Sequence, residues 1–375
     1  MAPLALTILV IRNTFFITYP FLVVFYYSLI HGLPLFQETL LKFQFIYLLV
    51  AFFILTIPVS PKELLAASYY EGKVISIIIG YSPGGGYDRI ARLLAKHLPK
   101  YIPGKPGVIV QNMPGADSMI AANHIFNIAK PDGLTIGTFN RGLPFAQLLK
   151  APGVKYDLAK FSWIGSAASE TTALSILSSL PYKTFEELLK VKSPINLGSM
   201  GPSDSSGQFP MILKEYLGLN TKMIIYPSSS DCMLAVERKE LDGRGGSYSS
   251  LKPFVDRGLV RCLVRSRVSE PDIEQLPVDE DLAKDKIAKT IMAMRSATDH
   301  VGRPYVAPPK TPPEVMNILR DAFAKVANDP ELKADATKMM MDVNYVSADE
   351  TLKIVNDVLN QPSDIAKEFS KFVRF

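Results

Sequence analysis

The stretch Gly80-Tyr81-Ser82-Pro83-Gly84-Gly85-Gly86-Tyr87-Asp88 constrains the fold more than any other part of this chain. It follows the β-branched run Val74–Ile79 and precedes Arg89–Lys96, where Ile90, Leu93 and Leu94 recur at helical spacing. A strand therefore hands over to a helix through backbone that is almost bare of side chains. Glycines let peptide N–H groups face a small anion unobstructed, and the helix N-terminus adds partial positive charge. In open α/β sheets, ligands bind at this carboxyl edge. A nucleotide loop is excluded, because the Gly-Lys-Ser/Thr ending is absent and the G-x-G-x-x-G spacing fails. Asp88 reads as a helix-capping carboxylate or as a ligand contact.

The rest of the chain supports α/β layers around a mostly parallel sheet. Short apolar runs at 74–79, 108–111, 134–139, 195–197, 223–226 and 260–264 read as strands. Helices are expected at 88–98, 119–128, 205–217 and 230–237, with a helical tail over 312–328, 330–341, 347–359 and 363–372. Thr184, Thr311 and Ser347, each followed three residues later by Glu, read as capping boxes, and Ser205 with Gln208 as a fourth. Three more polar loops stand where strands give way to helices: Thr138–Gly142, Gly198–Gln208 and Tyr226–Ser230. Arg141, in the first of them, reads as a fork for a carboxylate or as a surface arginine. Two such loops in each half imply a ligand cleft between two lobes. The lobe boundary is expected near 163–178, with the chain crossing back near 305–309.

Residues 1–68 differ from the remainder. The runs Phe15–Ile30 and Phe43–Ile57 are nearly uncharged but shorter than the roughly 20 residues of a comfortable membrane span. Lys42, the apolar run after it, Pro58 and the small residues Ala66-Ala67-Ser68 read as a secretory signal within 41–68. Translation is expected to start near Leu40; retention of both runs would anchor the protein in the membrane. The 375-residue chain has a net charge of +5, of which residues 69–375 keep +4, mildly suited to anions. No basic patch alternates with aromatics, so a nucleic-acid partner is not expected. Four histidines and two cysteines, Cys232 and Cys262, are too few and too scattered for a His/Cys metal cluster.

Three motifs in order carry a specific resemblance. Pro83-Gly-Gly-Gly-Tyr-Asp88 is followed by Gln111-Asn-Met-Pro-Gly-Ala116 and Pro131-Asp-Gly-Leu-Thr135, and later by "SLPYKTFEELLK" and "VAPPKTPP". The chain resembles the solute-binding receptors of the tripartite tricarboxylate transporter family, the Bug-type extracytoplasmic receptors. That resemblance implies a type II periplasmic-binding-protein fold: two α/β lobes with an interlobe cleft and a helical C-terminal tail. Lobe 1 would comprise 69–170 and 306–375, and lobe 2 would comprise 171–305. It implies a monomer without cofactor or metal that binds a small organic carboxylate and delivers it to membrane permease subunits. Carried over by position, the ligand site would use Tyr81, Ser82, Gly85, Gly86, Tyr87 and Asp88, with Asn140 and Arg141 at the facing strand end. The second lobe would add Ser199, Ser203, Asp204, Ser205 and Tyr226. This chain has Tyr226-Pro-Ser228 where Tyr-Lys-Gly is usual, lacks the usual His near Ser206–Gln208, and carries Asp204 near the ligand. These departures leave room for a monocarboxylate, an aromatic acid or an amide in place of a dicarboxylate. The rival readings are a periplasmic enzyme, requiring His97 or His124 beside a cleft serine, and a ligand sensor.

Overall fold

The computed structural model describes residues 69–371 except 203 and 269, all within one compact unit. The signal segment expected within 1–68, and site residue Ser203, lie outside the described residues. Two sheets organise the chain. The first runs in the order β11-β4-β10-β3-β1-β2, built from β1 (Val74–Ile79), β2 (Gly107–Asn112), β3 (Thr135–Thr138), β4 (Ser162–Ser166), β10 (Pro304–Ala307) and β11 (Val346–Ser347). The second runs β7-β6-β8-β5-β9, from β5 (Thr172–Leu177), β6 (Ile195–Ser199), β7 (Thr221–Ile225), β8 (Gly243–Ser247) and β9 (Val260–Arg265). Pro304 and Tyr305 thus already stand in the first sheet.

Both sheets are mixed, where the sequence suggests mostly parallel ones. β1 pairs in parallel with β2 and β3, but β10 runs antiparallel between β3 and β4. In the second sheet β6 pairs in parallel with β7 and β8, while β5 lies antiparallel between β8 and β9. The two central reversed strands are those by which the chain arrives from the other sheet, at β5 outward and at β10 on return. A strand entering from the opposite lobe points against its neighbours, which sequence periodicity cannot register.

Helices cover both faces. α1 (Gly86–His97), α2 (Met119–Asn127) and α3 (Leu143–Leu148) belong to the first half, and α4 (Phe185–Leu189), α5 (Ser205–Leu217), α6 (Ser229–Glu237) and α7 (Tyr248–Asp256) to the second. α8 (Asp279–Leu282) and α9 (Lys286–Ala297) lead back to β10, and the tail comprises α10 (Pro313–Ala327), α11 (Pro330–Lys338), α12 (Ala348–Leu359) and α13 (Ser363–Phe369). β1 shows why its run of isoleucines is unbroken. Ile75, Ile77 and Ile79 pack with Ile90, Leu94, Leu319 and Phe323, while Ile78 packs on the opposite face with Ile125, Phe139 and Trp163. Apolar side chains on both faces are what a strand sandwiched between helix layers requires.

The caps hold in part. Thr184 and Ser347 accept from the N–H groups of Glu187 and Glu350 at the starts of α4 and α12. Thr311 does not cap: α10 starts at Pro313 behind Pro312, and the Thr311 hydroxyl donates to the Pro308 carbonyl. Pro312 and Pro313 already fix the first turn and remove an N–H that would need a cap. Ser205 is likewise not a cap; Asp204 takes that role for α5, accepting from Ser206 N. Cys232 and Cys262 are free thiols, and burial raises both. No helix among the described residues is long and apolar enough to cross a membrane.

Candidate functional site

The carboxyl ends of β1, β3, β6, β7 and β8 converge, and with the start of β10 they line a polar cavity open to solvent at its mouth. From the first lobe Tyr81, Ser82, Gly85, Gly86, Tyr87 and Arg141 line it. Met200, Asp204 and Ser205 face them after β6, Ser228 and Ser229 after β7, and Arg244, Ser247 and Ser250 along and after β8. Arg303, just before β10, completes the wall. Four helices, α1, α5, α6 and α7, begin at this cavity, so four positive dipole ends surround it. The arrangement suits an anion.

The glycine run has a specific steric cause. A Cβ on Gly86 would lie 2.5 Å from the Arg303 guanidinium and 2.9 Å from the Ser250 hydroxyl, so any larger residue would have to displace them. Gly84, at φ +88°, adopts the left-handed backbone that suits glycine, and its N–H donates to Asp88 Oδ2 at 2.9 Å.

Three buried guanidiniums set the electrostatics. Arg141 lies 2.9 Å from Asp299 and donates to Ser247 and Thr172. Burial is the largest influence on Arg141 and disfavours its charge, but Asp299, Tyr87, Glu170 and Asp204 together outweigh it and raise the pKa. Burial is likewise the largest influence on Asp299, outweighed by Arg295, Arg141 and hydrogen bonds from Ser266 and Arg295, which together lower it. Arg303 pairs with Glu170 at 2.8 Å and stacks 4.4 Å above the Tyr87 ring. Arg244 donates to the carbonyls of Gly245 and Ser229.

Several of these contacts join the two lobes. Tyr81 Oη donates to Asp204 Oδ2 at 2.8 Å, while Ser206 holds Oδ1 through its N–H and its hydroxyl. Burial first, and then Asp204, push the Tyr81 phenol well above its ordinary pKa, so it remains a donor. Gly201, at φ +143°, comes close enough to Asp117 that a Cβ would meet its carboxylate at 2.9 Å. The structure is a closed arrangement of the lobes.

Eight of the thirteen site residues expected from sequence line the cavity: Tyr81, Ser82, Gly85, Gly86, Tyr87, Arg141, Asp204 and Ser205. Arg141 is buried, not a surface arginine. Asp88 points away, accepting from Gly84 N, Arg92 and Asn112; these bonds outweigh burial and lower its pKa. Asn140 props the neighbouring loop through Asp117 and Gly142. Ser199 turns into its own loop, bonding Gly201. Tyr226 lines an adjacent open groove with Pro114, Ala116 and Asp117. His97 is buried at the end of α1 beside Asp329 and Asp335, and His124 lies on α2; neither lines the cavity. Sequence reasoning missed Arg244, Ser247, Ser250 and Arg303. Ser228 and Ser229 fell within a loop it flagged as polar.

Two α/β lobes closed over an anion-seeking cavity at their strand ends define a periplasmic solute-binding protein. The chain belongs to the tripartite tricarboxylate transporter family receptors, whose family model it matches over residues 90–370. A UPF0065 protein from the gbd 5′ region of Cupriavidus necator is 25% identical over 311 residues, covering 80% of this chain and 89% of that protein. The periplasmic binding protein BugD superposes with a TM-score of 0.68 at 21% identity, covering 81% of this chain and 99% of its own. MatC of Rhodopseudomonas palustris, solved with bound malate, gives 0.65 at 18% identity, over 78% and 99%. The family's members are solute-binding receptors of the periplasm that serve transport.

Proposed function

We propose that this chain captures a small organic carboxylate in the cavity and presents it to the membrane subunits of a tripartite tricarboxylate-type transporter. The observation that carries this reading is the convergence of four helix N-termini and three buried guanidiniums on one cavity lined from both lobes. Closure removes water from the ligand and strengthens each of those contacts, and the transporter would distinguish closed from open receptor. On this reading the protein is a non-catalytic monomer without cofactor, exported by a signal within 41–68, with one lobe formed by 69–170 and the chain from β10 onward and the other by the chain between them. The malate bound by MatC supports a carboxylate as the ligand class. Thermal-shift and calorimetric screening of mono-, di- and tricarboxylates, aromatic acids and amides tests it. A ligand at 100 times its Kd adds about 2.7 kcal/mol, a readily measured rise in Tm. Binding that Gly86→Val abolishes is the expected result. A folded protein that binds no member of the panel refutes the reading.

A further inference from the structure

The charges around the cavity are not equivalent. Arg141 has Asp299, and Arg303 has Glu170. Arg295, behind them, also pairs with Asp299. Arg244 is 1% exposed, yet no carboxylate of the described residues lies within ion-pair distance of it. Its guanidinium makes two described bonds, from Nε to the Gly245 carbonyl at 2.9 Å and from Nη1 to the Ser229 carbonyl at 3.2 Å. A guanidinium withdrawn from water without a counterion is costly. The fold nonetheless accommodates it: Gly246 sits at φ +152°, and a Cβ there would lie 2.4 Å from Arg244 Nη2. The strand keeps glycine where the arginine folds back.

The single carboxylate among the lining residues does not neutralise it. Asp204 is already held by Tyr81 on one oxygen and by Ser206 on the other. Beside Arg244 stand Ser228, Ser229 and Ser247 at the starts of α6 and α7. Ser228 donates to the Asp231 carboxylate at 2.7 Å and Ser247 accepts from Arg141, so neither supplies Arg244 with a counterion.

We propose that Arg244 pairs with the acidic group of the ligand, and that the ligand is a small monocarboxylate carrying hydroxyl or amide groups. Resting on the receptor reading above, the inference adds the anchoring residue and the charge of the ligand. Of the three guanidiniums that line the cavity, Arg244 alone has no carboxylate partner among the described residues, which matches one negative charge on the ligand. A second carboxylate would find guanidiniums already paired, and Asp204 among the lining residues. The hydroxyls of Ser82, Ser205 and Ser250, which both donate and accept, suit neutral polar groups on the remainder of the ligand.

The test compares hydroxy-monocarboxylates of three to six carbons with their primary amides and with the dicarboxylates of equal chain length, for example glycerate against glyceramide and tartronate. Calorimetry on the purified protein is expected to rank a monocarboxylate about a hundredfold above its amide and its dicarboxylate. Arg244→Met should bind acid and amide equally. It should also melt above wild type without ligand, since it removes a buried charge that only ligand neutralises. Dicarboxylates binding as tightly as monocarboxylates, or Arg244→Met binding the acid like wild type, overturns the inference and leaves the receptor reading standing. If no class binds the folded wild type, the receptor reading fails first. Should Arg244→Met not fold, the wild-type ranking of acid, amide and dicarboxylate decides alone.

Discussion

The Tyr81–Asp204 hydrogen bond crosses from one lobe to the other at 2.8 Å, between side chains that are both nearly inaccessible to water. Removing one partner of a bond to a buried charged group leaves the other under-satisfied, at a cost of about 1.5–3 kcal/mol. Because that bond joins the two lobes, Tyr81→Phe should weaken ligand affinity roughly tenfold or more, which calorimetry checks. Gly86→Ala acts by volume alone. Its Cβ would occupy space held by Arg303 and Ser250, so binding should fall at least tenfold with the fold retained by circular dichroism. An alanine variant that binds as wild type would show that Arg303 has room to move aside. At this scale the site was legible where it lies in loops. Tyr81, Gly86 and Asp204 sit in stretches whose glycines, serines and strand-to-helix position carry local meaning. Arg244 and Arg303 carry none locally: each is one arginine in an unremarkable stretch, and only folding brings them to the same cavity.

At the scale of elements, β8 explains most of what sequence patterning overlooks. Gly-Arg-Gly-Gly-Ser reads as a loop, since glycine is depleted in strands. Yet β8 is fully buried in the centre of its sheet. A Cβ on Gly243 would strike the Ser175 backbone at 2.1 Å, and one on Gly245 would meet Pro210 of α5 at 2.9 Å. Close approach of neighbouring backbone and helix overrides propensity. β4, β5 and β10 were missed because they lie where the chain changes lobe and the α/β alternation breaks. By contrast β1, α5 and the tail helices stood out, each marked by continuous apolar runs, helical spacing or caps. Ser347 is such a cap, accepting from Glu350 N. Ser347→Ala should cost about 1 kcal/mol, a fall of about 2–4 °C in Tm for a domain of this size. A fall of less than half a degree would mean that tertiary packing alone holds α12 against β4.

The whole molecule carries a pH dependence that originates where the chain returns between the lobes. Glu270 and Asp279 precede α9, and each has its carboxyl raised to about 7. For Glu270 burial is the main cause and Glu170 the second; for Asp279 burial dominates over the attraction of Arg295. Neither Asp279 oxygen has a hydrogen-bond partner among the described residues. An acid whose folded pKa lies above its unfolded value holds its proton longer in the folded state. The folded protein therefore binds more protons between about pH 4 and 7, and its stability falls as pH rises through that window. Asp88 and Asp299 act in the opposite sense: their lowered values add stability above the ordinary carboxylate range, lost only on acidification below it. The sum is a maximum near pH 4, where the two windows meet. Thermal melts from pH 4 to 8 should show Tm falling between about pH 4 and 7. Asp279→Asn, which keeps the shape and removes the titration, should flatten part of that fall and raise Tm at pH 8, with each pKa unit worth about 1.4 kcal/mol. At pH 4.5, where Asp279 is already protonated in the folded protein, the same substitution should change little. A flat profile, or an asparagine variant that melts lower than wild type at pH 8, would mean that Arg295 holds Asp279 ionised and that the charge is part of what keeps the lobes joined.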